Sequence, residues 1–311
     1  MTMAQDWHVS EQMLKFQIGD LIFGTMHFKA LACEVGLGNE GSDMSLPPDK
    51  VLESDMSGYA IRGLPVTTAR PLLEARDGYY IYTPKTFLRH YINMRQSFED
   101  YTKGFRSKTR STIRRKIRKF SEASGGSIDF RAYRSAGEIE EFYRFARKVS
   151  ADTYQERLLD AGLPDNQEYF TQLRNSAAND GVRGFVLFYE DRPISYLLLR
   201  IVEDMLLYDY LGYDPEYAKW SAGTVLHWLA IEDLFAEQRY RLLDFTEGDG
   251  EHKRRFGTDH ITCANVFCLK KKPSTYFMLH LHAGLDRFAA FSGELLTRLG
   301  LRSKIRKWLR R

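Results

Sequence analysis

Three apolar runs, set apart by connections too short for anything but tight turns, constrain this chain more than any other feature. They are VRGFVLFYE (Val182–Glu190), PISYLLLRIV (Pro193–Val202) and MLLYDYLGY (Met205–Tyr213), separated by Asp191-Arg192 and Glu203-Asp204. Connections that tight join antiparallel neighbours, so the middle of the chain is expected to be a three-stranded meander. Before it come a strand over Ser127–Tyr133, a helix opened by Ser135 with Glu138 three residues on, and a second helix over Asn166–Ala178. The Ser-x-x-Glu spacing is that of a capping box, in which each residue satisfies a backbone amide of the other. After the meander come an apolar helix over Ala222–Gln238, the short strand RLLDF ending at Asp244–Phe245, an acidic turn with glycines, and a strand over His260–Lys270. The order β-α-α-β-β-β-α-β-α-β describes an α+β unit around a mostly antiparallel sheet.

Ahead of this unit, Phe98, Tyr101, Phe105, Ile113, Ile117 and Phe120 recur near the helical period and leave cations on the opposite face. Ser97–Phe120 holds nine basic and two acidic residues, and Leu301–Arg311 six basic and none acidic. The net charge is only +4, so the remainder is acidic and the two basic segments mark places that meet anions. The N-terminal part reads as a hairpin within Met13–Val35, a loop over 36–58, and short strands at Tyr59–Val66 and Tyr79–Thr83. The chain ends in helix from Phe277 to Arg311, with Leu301, Ile305, Trp308 and Leu309 on one face amid cations, a pattern suited to a membrane surface or a partner. The expected organisation is a reduced N-terminal α+β half (1–96), a basic linking helix (97–126), the main domain (127–272) and amphipathic basic C-terminal helices (273–311).

With 311 residues, 43% hydrophobic and 28% charged, the composition is that of a globular protein with a sizeable core. Cys33, Cys263 and Cys268 have neither disulfide-framework nor metal-ligand spacing, and the eight histidines show no paired spacing, so no metal is expected. No signal peptide is visible, and no apolar run reaches the roughly 18 residues of a membrane span. A cytoplasmic protein follows, peripheral at the inner membrane face if the C-terminal helix binds there.

Two stretches carry candidate chemistry. Lys219–Thr224 (KWSAGT) places Ser221 where it can cap a helix, with the amides of Ala222, Gly223 and Thr224 free at the positive helix end and Lys219 adding a charge. That is the arrangement of an anion site. Asp244–Gly257 (DFTEGDGEHKRRFG) puts a carboxylate at a strand end, an open acidic turn, and Lys253 beyond it, supplying a candidate base and a candidate electrostatic stabiliser.

In detail, KTRSTIRRKIRKF (Lys108–Phe120), YDPEYAKWSAGTVL (Tyr213–Leu226) and LLDFTEGDGEHKRRFG (Leu242–Gly257) resemble, in order, three motifs of the BioF2-like or CelD-like branch of GNAT acyltransferases, related to the FemAB peptidyltransferases. The resemblance covers roughly Tyr79 to Leu269. It implies a GNAT-like mixed, mostly antiparallel sheet flanked by helices. It also implies acetyl-CoA or another acyl-CoA as donor, laid across a splayed strand at Tyr208, Asp209 and Tyr210 with its pyrophosphate on Ala222, Gly223 and Thr224. Lys253 matches the motif lysine, and His252 stands where the family has an aromatic residue. Asp209, Asp244 and Glu247 are the candidate bases, and Lys253 with strand amides would hold the oxyanion. The resemblance points to a small-molecule or lipid-like acceptor from envelope or polysaccharide synthesis. An aminoacyl-tRNA donor, as in FemAB relatives, is the alternative. Nucleic acid as the main partner is disfavoured, because the basic helix has an apolar face suited to docking on a sheet.

Overall fold

The structure is a computed structural model that describes residues 7–18, 21–37, 52–68, 70–153, 162–248 and 250–298. The basic segment 301–311 and most of the loop expected over 36–58 lie outside them. The chain divides into two compact units, one of Met1–Leu88 with Thr262–Arg311, the other of Arg89–Ile261.

In the first unit, β1 (His8–Ile18) and β2 (Leu21–Glu34) form an antiparallel hairpin, and β2 runs parallel to β3 (Gly58–Pro65). The C-terminal part of β12 (Asp259–Lys270) returns antiparallel to β3 and to β5 (Tyr79–Tyr82), and β4 (Leu73–Arg76) pairs with β5. Gly58 has φ +155°, and a Cβ there would sit 1.9 Å from the Cys268 carbonyl oxygen, so only glycine lets β3 start this close to β12. The final helix, Pro273–Arg298, is docked by Leu279 and Ala283 in a cluster with Leu14, Phe28 and Tyr82, and by His282, whose Nδ1 is 2.7 Å from the Tyr82 hydroxyl. The three cysteines are buried thiols, and burial pushes Cys33 up to about 12 and Cys268 to about 11.

The second unit is a mixed, mostly antiparallel sheet in the order β6-β11-β10-β9-β8-β7. Its strands are β6 (Thr86–Asn93), β7 (Phe130–Tyr133), β8 (Val182–Tyr189), β9 (Arg192–Val202), β10 (Met205–Tyr213) and β11 (Leu242–Asp244). The meander β8-β9-β10 is present. Its first turn is Glu190-Asp191, both at positive φ, one residue earlier than the sequence suggested. Strand β10 pairs in parallel with β11 and antiparallel with β9.

Helices cover both faces. On one lie α1 (Phe98–Lys103), α2 (Ser107–Ala123) and α5 (Ala222–Ala236), sharing a core with Leu197, Leu199, Leu206 and Phe245. On the other lie α3 (Ala136–Asp152) and α4 (Gln167–Ala178), packed around Phe142, Tyr196 and Leu198. The Ser135–Glu138 capping box is formed. The single helix expected over Phe98–Phe120 is broken: α1 ends on Gly104, and α2 restarts after Arg106. Both pieces pack on one core, which is why their apolar period runs on unbroken across the gap.

Candidate active site

Strand β10 is irregular where the chemistry is expected. Tyr208 pairs with Leu199 and Tyr210 with Leu198, leaving Asp209 as an extra residue in a β-bulge. Simple alternation would put Tyr208 and Tyr210 on one face. The bulge separates them: Tyr208 enters the core beneath α5, while Tyr210 packs with Tyr169 on the opposite face. The parallel pairing with β11 stops at Leu207–Asp244, one residue before Tyr208. The backbone of β10 therefore continues from Tyr208 without a β11 partner, and the Thr246 hydroxyl donates to the Tyr208 carbonyl (3.2 Å) just beyond the point of divergence.

The three carboxylates singled out from sequence have different surroundings. Asp244 is fully buried and bound by Arg89 of β6, whose Nη2 is 2.6 Å from Oδ2 and whose Nε donates to both oxygens. Its Oδ1 also accepts the Thr246 amide (2.8 Å). A carboxylate so enclosed shapes the turn, with both of its oxygens already bonded within the fold. Asp209 is nearly buried, at 11% exposure, and forms a forked ion pair with Arg200. Burial raises its pKa, and Arg200 opposes that rise. It points to the α3–α4 face, away from Tyr208. Glu247 is exposed on the turn.

Lys253, at the centre of α6 (Glu251–Phe256), is 9% exposed. Its ammonium donates to the carbonyls of Phe245 and Glu247, both at 2.6 Å. Burial is the main cause that lowers its pKa to about 8, with Arg89 adding to the effect and Asp244 and Glu247 opposing it. The lysine ties the acidic turn to α6. Gly248 sits at φ +110° beneath it, and a Cβ there would lie 3.5 Å from Nζ.

Under this turn lies a group the sequence reading had not assembled. His227, on the buried face of α5, is 1% exposed, and its ring stands 5.4 Å from that of Tyr208, 4.4 Å from Phe256 and 6.2 Å from His252. The Tyr208 hydroxyl and His227 Nε2 are both buried without a hydrogen-bond partner. Such unmatched groups are uncommon in folded proteins and ask for a ligand or water. His252 is only partly buried and faces Tyr208 at 5.9 Å. Burial, then the charges of Lys253 and Arg255, lower its pKa to about 4, and burial takes His227 to about 3. Both rings are neutral near pH 7, and His252 combines a free base form with access. A lone histidine in an apolar helix is ordinarily structural, so only its neighbours distinguish His227.

The second half of the site is the start of α5. Ser221 does not cap it. The residue adopts φ 58°, ψ 39°, and its side chain makes no capping bond, contrary to the sequence expectation. The amides of Ala222 and Gly223 therefore remain the orphan donors of the helix end. Two lysines of α2 converge there: Lys116 Nζ lies 3.3 Å from Thr224 Oγ1, and Lys119 Nζ 3.4 Å from the Lys219 carbonyl. Burial is the main cause that lowers the Lys116 pKa, with Arg255 contributing. Lys219 is exposed and lies over the Trp220 ring at 4.5 Å. The basic face read as a separate anion site is thus part of this one. Their i, i+3 spacing was visible in sequence; their target was not. No group of residues suited to a metal ion occurs among the described residues.

Comparison with known proteins supplies the frame. Residues 107–254 match the model of the acetyltransferase (GNAT) domain family. No curated protein sequence matches the chain. Among solved structures, FemX is similar with a TM-score of 0.52 at 10% identity, over 88% of this chain and 90% of that one. The C-terminal domain of a putative lysylphosphatidylglycerol synthetase from Agrobacterium fabrum aligns with a TM-score of 0.47 at 11% identity, over 76% of this chain and 72% of its own. L-PGS from Bacillus licheniformis gives 0.47 at 13%, over 72% of each chain.

Proposed function

We propose that this chain, an acyltransferase whose residues 107–254 match the acetyltransferase (GNAT) domain family, takes its acyl group from an acyl-CoA and passes it directly to an amine or hydroxyl. One observation carries the choice of donor. The uncapped start of α5, with Lys116, Lys119 and Lys219 around it, lies against Tyr213 at the end of the bulged strand β10, and the same helix reaches Tyr208, where β11 leaves that strand, through His227. A helix N-terminus with converging lysines suits a pyrophosphate, and the unpaired edge of β10 suits the pantetheine amides. The thioester carbonyl would then lie near Tyr208.

In the proposed step the acceptor nitrogen or oxygen attacks the thioester carbonyl carbon. Its proton passes to the neutral His252 ring, directly or through one water. The tetrahedral intermediate then collapses by breaking the C–S bond, and the thiolate leaves with CoA. Free amides of β10 beyond Tyr208 would donate to the oxyanion. Lys253 acts by holding the turn in place. Among the candidate bases, His252 replaces Asp244 and Asp209, whose oxygens are taken by arginines.

Isothermal titration with acetyl-CoA, a long-chain acyl-CoA and an aminoacyl-tRNA tests the donor. Heat with either thioester, weakened by Lys116→Gln, is expected. Silence with both thioesters alongside tight tRNA binding would replace this reading with an aminoacyl-tRNA donor. The exposed cations Lys108, Arg114, Arg115 and Arg118 on α2 favour that second reading.

The acceptor is proposed to be an envelope-type or lipid-like precursor, reached at an anionic membrane surface by the basic segment Leu301–Arg311. No helix among the described residues is long and apolar enough to cross a membrane. Deleting 301–311 should reduce pelleting with anionic liposomes; unchanged pelleting removes the membrane from the proposal.

A further inference from the structure

Arg254 and Arg255 of α6 and the start of α2 line a cavity of about 680 Å³. That is within the range of sites for small ligands. Its cationic wall is Arg106, Arg254 and Arg255, joined by Thr109 in the first turn of α2. Its aromatic wall is Tyr91, Tyr101 and Phe105. The start of α2 has no side-chain cap and no acidic residue in its first turn, so its positive end is uncompensated.

Two aspartates also line the space, but both have partners. Asp100 accepts from the Ser97 hydroxyl (2.7 Å) and pairs with Lys103. Asp259 accepts the His260 amide (2.7 Å). Arg255 is shared with Glu251. Three guanidinium groups thus stand against two carboxylates, and the helix start adds to the positive side.

We propose that this cavity holds a phosphate group of the acceptor substrate, with the aromatic wall receiving the ring or chain attached to it. Guanidinium forks and helix amides bind phosphate oxygens through several charge-assisted hydrogen bonds at once. The position suits an acceptor rather than the donor. Thr109 and Lys116 are both on α2, seven residues and so about 10 Å apart along its axis. One helix thus faces the donor phosphates with its middle and the cavity with its start. Between them, α6 carries Arg254 and Arg255 to the cavity and His252 toward Tyr208. A phosphorylated acceptor seated here brings a neighbouring amine or hydroxyl within reach of the proposed base. The inference rests on the acyltransferase reading for its placement of the nucleophile, not for the binding itself.

The test uses the full chain, with glucose 6-phosphate and glycerol 3-phosphate as soluble probes and phosphatidylglycerol vesicles as the lipid probe. Binding is measured for the wild type and for Arg106→Gln and Arg254→Gln, both at exposed positions. Each variant should weaken phosphate binding about tenfold or more, the usual effect of losing a charged hydrogen-bond donor. Acetyl-CoA affinity should stay unchanged. Loss confined to the soluble probes identifies a sugar- or glycerol-phosphate acceptor, and loss confined to the vesicles a lipid headgroup; either supports the site. Wild type and variants binding every phosphate probe equally, or not at all, overturns it. So does acetyl-CoA binding that falls with Arg106→Gln or Arg254→Gln, which would make the cavity part of the donor site. If acetyl-CoA fails to bind the wild type while the phosphate probes behave as expected, the donor reading fails and this one stands.

Discussion

At the scale of single residues, the site separates groups that hold from groups that react. Arg89 and Asp244 are at 2% and 0% exposure, so breaking the pair strands a charge in the core. Arg89→Leu or Asp244→Leu alone should lower stability by about 3–5 kcal/mol, whereas the double change should recover much of that loss. Urea unfolding of the four proteins checks this, and simple additivity would mean the pair is uncoupled. His252 is the proposed base. His252→Gln should cut kcat by about a hundredfold to ten-thousandfold while leaving acyl-CoA affinity alone. Because burial holds the ring near 4 and it works as the neutral base, kcat/KM should stay level from pH 7 down to about 5 and fall only as pH approaches 4. An acidic limb centred near 6.5 would instead report an ordinary exposed histidine. Asp244, His252 and Lys253 were legible in sequence, but Arg89 and this division were not: Lys253 stood out as a catalytic cation and is bonded to two turn carbonyls.

At the scale of elements, most of the second unit could be read in advance because its signals are local. The meander has short turns, and α3 and α4 have side-chain caps at Ser135 and Asn166. What escaped depends on distant partners. Strand β6 alternates weakly and follows a proline, and its importance comes from Arg89 meeting a residue 155 positions away. The bulge in β10 leaves no mark in composition, yet it decides which face Tyr208 and Tyr210 occupy. Helix α2 shows the same limit: its amphipathic pattern was plain, but that its cations end at the start of α5 was not. If α2 supplies the donor's phosphate contacts, Lys116→Gln and Lys119→Gln should each weaken acyl-CoA binding by about tenfold. Arg118→Gln should do little, since that side chain is exposed and paired with Glu122 one turn on. Equal effects from all three would indicate a diffuse electrostatic attraction and no localised site.

At the scale of the whole molecule, the buried bases set how stability depends on pH. His227 is 1% exposed with its pKa lowered to about 3, against about 6.5 in an unfolded chain. Between those values the unfolded state binds a proton that the folded state refuses, so stability must fall as pH drops below 6.5. His252, lowered to about 4, acts in the same direction. Lys253, lowered to about 8, makes stability rise with pH between about 8 and 10.5, where the unfolded state holds a proton the folded state has released. For His227 alone the loss reaches about 2 kcal/mol at pH 5 relative to neutral pH. The change His227→Phe keeps an aromatic ring among Tyr208, Phe245 and Phe256 but removes the proton acceptor. Measured by urea unfolding at pH 7.5 and pH 5, the variant should lose about 2 kcal/mol less than the wild type over that interval. A wild type and variant that weaken in parallel would mean that His227 takes up its proton in the folded state, which requires water or a ligand group already beside Nε2.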